Sequence, residues 1–140
     1  MALKATKADV WVVTLEDRPG GAAATLEALA RAGANLEMVL ARRTETPGQG
    51  VMFVTPIKGA KATKAAQEAG MAKPANIHSV RIEGGDKAGL GSKIARALAQ
   101  AGINFRGMSG VVIGKKFISY IALDSAEDQA KAVAALKKIS

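Results

Sequence analysis

Asp17-Arg18-Pro19-Gly20, followed by Ala32-Gly33-Ala34-Asn35-Leu36, is answered later in the chain by Asp86-Lys87-Ala88-Gly89 and Ala101-Gly102-Ile103-Asn104-Phe105. Gly20 to Gly89 and Gly33 to Gly102 are each 69 residues apart. One offset at both ends of a segment means that the stretch between has the same length in each half. Chance likeness between glycine-rich stretches rarely produces that, so the chain is a duplication.

Around these anchors the elements follow from composition. Asp9 to Leu15 (DVWVVTL) reads as a strand through its valines and tryptophan, and Arg18-Pro-Gly-Gly ends it. A helix over 21–32 is supported by its alanines, by the Leu26/Leu29/Ala30 spacing and by Gly33 just past its end. Strands over 35–44 and 50–57, joined by Glu45-Thr-Pro-Gly-Gln, lead to a short helix over 60–69.

The second copy repeats the order: strand 77–83, helix 90–101, strand 104–113, a tight Gly114-Lys115 turn, strand 117–123 and a helix from Ser125. Ser125 with Asp128 forms a capping-box-like start, and Ala132, Val133, Leu136 and Ile139 make an apolar stripe. Each copy is βαββα. Met71 to Asn76 can add a final strand to copy one, whereas only Ile139 and Ser140 follow the last helix of copy two. At the repeat offset, Ala2 to Lys7 stands where Met71 to Asn76 stands, so the N-terminal segment is expected beside copy two, with Lys4 and Lys7 suited to a sheet edge. The fold class is α+β with antiparallel sheets packed on helices, in modules over 1–72 and 73–140.

The chain's 140 residues are 49% apolar and 23% charged, without long apolar runs, which describes a soluble globular protein. The first thirteen residues lack the apolar run of a signal peptide, and no cysteine is present, so a cytoplasmic protein without disulfides is expected. No thiolate nucleophile, Walker loop, catalytic serine set or metal-ligand spacing occurs, and His78 reads as structural or exposed. No enzyme activity and no cofactor are expected. The formal charge of +8 raises an anionic partner, but Lys58-Lys61-Lys64 and Lys131-Lys137-Lys138 fall on the outer faces of predicted helices.

A strand that runs through Asp-x-x-Gly into a helix sets free backbone N–H groups and the positive helix end beside a turn. Gly20 and Gly21, and Gly89 and Gly91, would let a carboxylate approach those groups without meeting a Cβ. The plainer reading is that these glycines only shape the turn. Asn35 and Asn104, whose amides both donate and accept, weigh toward a ligand.

The stretch Glu16-Asp17-Arg18-Pro19-Gly20 with Gly33-Ala34-Asn35-Leu36 resembles the ACT domain, most of all the serine-sensing kind in phosphoglycerate dehydrogenase. That resemblance implies ferredoxin-like βαββαβ modules with sheets joined edge to edge and amino acids held at module interfaces. It implicates Asp17, Gly20 and Asn35, and at matching positions Asp86, Gly89 and Asn104. Arg18, Gly21 and Lys87 lie in the same loops. Copy two has Ala88 for the proline and Gly91 where leucine is usual, and copy one has Ala22 and Thr25 where larger apolar residues are usual, so one competent site per pair is compatible with the pattern. An Asp carboxylate would take a zwitterion's ammonium while helix N–H groups take its carboxylate.

The expected protein is therefore a sensor for an amino acid or similar small metabolite, forming a homo-oligomer, most simply a dimer, and acting on a separate enzyme. Alternatives are an interaction module without ligand, or a basic nucleic-acid binder. The latter is weakened by the few aromatics, of which Trp11 and Tyr120 read as core.

Overall fold

The computed structural model describes residues 3–139. Two compact units divide the chain, one running Asp9–Pro74 and the other taking the chain up to Ala8 together with Ala75 onward. The division thus falls after Ala8 and Pro74 rather than after residue 72. Of the segment 2–7 expected beside copy two, Ala2 lies outside the described residues.

The first unit contains β2 (Trp11–Glu16), α1 (Gly21–Arg31), β3 (Met38–Arg43), β4 (Gln49–Thr55) and α2 (Ala60–Glu68). Its antiparallel sheet has the order β2-β4-β3, with Trp11 opposite Val54 and Leu40 opposite Phe53. Ala72 bridges to Val12 on the free side of β2, with Val12 N–H donating to Ala72 O at 2.9 Å. Alternate residues of the strands turn toward the helices, so that Trp11, Val13, Met52 and Val54 meet Leu29, Ala66 and Met71 in one core.

The second unit contains β1 (Lys4–Ala8), β5 (His78–Gly85), α3 (Leu90–Gln100), β6 (Gly107–Met108), β7 (Val111–Ile113), β8 (Lys116–Leu123) and α4 (Ala126–Leu136). Its sheet runs β1-β5-β8-β6, with β7 also on β8, all antiparallel. Lys4 stands opposite Glu83, and Leu3 and Ala5 enter the core of Val80, Ile82, Ile121 and Leu123. Leu90, Ile94 and Leu98, each four residues apart, make the buried face of α3, and Ala132 and Leu136 that of α4. Ser125 Oγ accepts the Asp128 N–H at 3.1 Å, capping α4. Buried Gln129 donates to Ser79 O at 2.7 Å, so this polar core group is satisfied.

Both modules are ferredoxin-like βαββαβ arrangements, and they share their helix endings. In α1, Ala34 N–H bonds back to Leu29 O and Gly33 N–H to Ala30 O; in α3, Ile103 and Gly102 do the same to Leu98 and Ala99. This motif requires a left-handed residue after the helix, supplied by Gly33 at φ +82° and Gly102 at φ +75°.

Two strands differ from expectation. The one expected from Asn35 begins at Met38, because the chain leaves the helix-end wrap as coil until Glu37 N–H reaches Thr55 O at 2.8 Å. The one expected over 104–113 is split into β6 and β7, although its register on β8 is the same on both sides, Gly107 opposite Ala122 and Val111 opposite Ile118. Between them the hydroxyls of Ser109 and Ser119 bond to the backbone, with Tyr120 N–H donating to Ser109 Oγ and Ser119 Oγ to Ser109 O. Side-chain groups there substitute for ladder partners.

Candidate functional site

Each strand-to-helix loop is built the same way. β2 ends at Glu16, and Asp17 N–H is tied to Gly48 O at 3.0 Å; β5 ends at Gly85, and Asp86 N–H is tied to Lys115 O at 2.9 Å. The hairpin turn of the neighbouring central strand therefore anchors each loop aspartate. A four-residue turn follows, with Gly21 N–H bonding to Arg18 O and Leu90 N–H to Lys87 O. Gly20 (φ +88°) and Gly89 (φ +82°) then start the helices from the left-handed region, where a side chain would be strained. Gly21 has a second constraint, since a Cβ there would run into the carbonyl oxygen of Glu16.

The side chains of the two loops differ. Asp17 Oδ2 accepts from Arg43 Nε at 2.8 Å, at the far end of edge strand β3. Gly50 lies between Arg43 and Leu15 in register, so nothing on β4 obstructs the arginine's reach. Arg18 pairs with Glu16 two residues back. In the second loop Asp86 and Lys87 are exposed, and neither has an ion-pair partner among the described residues. Asn35 and Asn104 are exposed on the coils that follow α1 and α3. The structure thus joins Asp17 to Arg43 and Arg18 to Glu16, while neither asparagine amide is hydrogen-bonded to its loop.

Arg43 was not foreseen from sequence. The signal for it was the Arg42-Arg43 pair closing β3 opposite Gly50, which needs the hairpin register before it points anywhere. Also unforeseen is a charged group on the outer sheet face of the second module, where Glu83 accepts from Lys116 at 3.1 Å and meets Arg81 at 3.5 Å. Arg81 in turn donates to the Tyr120 hydroxyl at 3.2 Å, so half-buried Tyr120 is the polar end of this group rather than core. The Lys116 ammonium, by its hydrogen bond and its charge, holds the Glu83 carboxyl below its ordinary range, and Arg81 adds to this. His78 Nε2 lies 3.0 Å from Ala75 O, a local structural contact.

With this geometry in place, the comparison with known families bears on the first module. Residues 12–69 match the ACT domain model. The matched segment runs from β2 through α2, including the Asp17 loop and Arg43. Among solved structures, a protein from Bacteroides thetaiotaomicron aligns with TM-score 0.75 and 18% identity over 97% of this chain and 99% of its own. The ligand-free regulatory subunit of aspartate kinase from Thermus thermophilus aligns with TM-score 0.66 and 20% identity, covering 97% and 95%. The corresponding subunit from Thermus flavus gives TM-score 0.62 and 25% identity, with the same coverage. The near-complete coverage in both directions means that the two-module fold recurs as a whole. No curated protein matches the chain. Among the described residues, no helix is long and apolar enough to cross a membrane.

Proposed function

We propose that the chain is a tandem ACT protein, a non-catalytic regulator that binds an amino acid or similar small metabolite through its strand-to-helix loops. The observation that carries this reading is the ACT match over 12–69 together with a loop whose glycines, at φ +88° and +82° in the two copies, bare the helix start beside an aspartate. Such a loop offers two opposed anchors. The aspartate takes an ammonium, and the free N–H groups of the first helical turn take a carboxylate. Asn35 and Asn104 stand free to add amide contacts from a neighbouring module. Solved structures of similar fold include regulatory subunits of aspartate kinase, which supports a partner role toward a separate enzyme; a cytoplasmic setting is part of the same proposal.

In this reading the two loops are unequal. Asp17 must be released by Arg43 before it can hold an ammonium, whereas Asp86 is free. A thermal-shift screen of the full chain against the twenty amino acids, with Asp17→Ala and Asp86→Ala as controls, tests it. A ligand at a hundred times its Kd stabilises by about 2.7 kcal/mol. The reading predicts such a rise for at least one amino acid and its loss in an aspartate variant; a flat panel contradicts it.

A second reading, an interaction module, rests on β7. Val111, Val112 and Ile113 are 54%, 45% and 63% exposed on an edge strand without a charged residue, while the opposite edge, β1, carries Lys4 and Lys7. Pairing of β7 between two chains would give the homodimer, and it is compatible with ligand binding at the loops.

A further inference from the structure

The second module carries a further feature beside its strand-to-helix loop. A cleft opens there between the Gly85–Ala88 loop, the first turn of α3 and the meeting point of β1 with the residue after α4. Leu3, Leu90 and Ile139 form its apolar wall, and Lys87 and Lys93 stand at its rim. Leu3 N–H donates to Ile139 O at 3.3 Å, which holds two sides of the wall together.

Across the 69-residue offset, the side chains that the loop and helix bring to this cleft are replaced in the first module. Lys87 corresponds to Arg18, whose charge is taken up by Glu16; the position of Glu16 is Gly85 in the second module, so Lys87 has lost its internal partner. Lys93 corresponds to Ala24, and Leu90 to Gly21, where a side chain would collide with the backbone. Together these differences remove a carboxylate, add a second ammonium and supply an apolar wall at one place. Among the described residues, neither lysine has an acidic partner within ion-pair distance.

We infer that this cleft of the second module binds a small organic carboxylate with an aliphatic tail, the carboxylate held by Lys87 and Lys93 and the tail laid against Leu3, Leu90 and Ile139. The chemistry follows from the lining. Two lysine ammoniums demand an anion and include no acceptor for a ligand's own ammonium, and the apolar wall favours a hydrocarbon group over a bare ion. The site lies on the helix flank of the loop and does not depend on the amino-acid reading of Asp17 and Asp86.

The test uses amide NMR of the full chain titrated with isovalerate, acetate and isoamyl alcohol. Isovalerate is expected to shift the amide signals of residues 87–93, Leu3 and Ile139 in roughly the millimolar range suited to so small a ligand. Acetate lacks the tail and the alcohol lacks the charge, so each should bind at least several-fold more weakly. Lys93→Gln and Lys87→Gln, both surface changes, should each weaken isovalerate about tenfold, with Lys93→Arg retaining it and far-UV dichroism unchanged. The inference is overturned if isovalerate shifts none of these signals, if acetate or the alcohol matches it, or if the lysine variants bind as the parent does. It is also overturned if Asp86→Ala, rather than the lysine variants, abolishes binding, because the ligand would then sit in the loop site.

Discussion

Replacing Arg43 by Gln separates what the Asp17–Arg43 pair does for stability from what it does to ligand binding. The pair is short, 2.8 Å, but Arg43 is 82% exposed and Asp17 33%. Ion pairs so accessible to water contribute about 0.2–1 kcal/mol, because solvent screens the charges and the long side chain loses freedom. Arg43→Gln should therefore cost no more than about 1 kcal/mol of stability, read as a small change in denaturant midpoint at constant slope. On the proposed function, a ligand ammonium has to displace Arg43 from Asp17, and removing that competitor returns the same energy to binding. One kcal/mol corresponds to about fivefold in affinity, which sets the upper limit of the gain. Calorimetric titration of the ligand found by the amino-acid screen measures it directly. The gain should shrink as salt is raised from low ionic strength, since screening weakens the competing pair as well. A loss of affinity in Arg43→Gln would refute the reasoning, because Arg43 would then be holding the ligand's own carboxylate.

Other consequences are as direct. Removal of residues 1–8 takes Leu3 and Ala5 from the second module's core and strips β5 of one of its two neighbours, so that module's stability should drop by several kcal/mol; an unchanged melting curve contradicts this placement of β1. Glu83 is held below its ordinary value of 4.5, so its pairing stabilises the fold above that pH and the contribution is lost as pH falls from 4.5 through the lower folded value. Lys116→Met brings the carboxyl back up toward 4.5 and should flatten stability across that acid window, with little change in its pH dependence above pH 6, as followed by dichroism.

Much of this fold was legible in the sequence because its repeated features are local. The helix over 21–32 is α1 at Gly21–Arg31 and that over 90–101 is α3 at Leu90–Gln100, each bounded by glycines that alone adopt the required backbone. The Ser125 cap and the Ala132/Leu136 stripe depend on neighbours within a turn or two. Strand limits were less legible, since they depend on partners far away. The break between β6 and β7 comes with the hydroxyls of Ser109, which lies between them, and Ser119 on β8, and the late start of β3 with the helix-end wrap and a bond to Thr55.

The candidate site divides along the same line. The aspartates and glycines of both loops could be named because an Asp-x-x-Gly turn is a local pattern. Asp17's engagement by Arg43 could not, because 26 residues separate them and only the register across Gly50 brings them together. For the same reason the first loop, which keeps the fuller motif, is the one with its aspartate already occupied.

The central claim, that the two strand-to-helix loops bind a small zwitterion, is tested most directly by amide NMR of the full chain during amino-acid titration. The account predicts that the largest shifts fall within residues 17–23 and 86–92, saturate together with the stability gain, and appear first at the second loop, where Asp86 is free. Shifts confined to other segments, or none at concentrations that stabilise the protein, would contradict it.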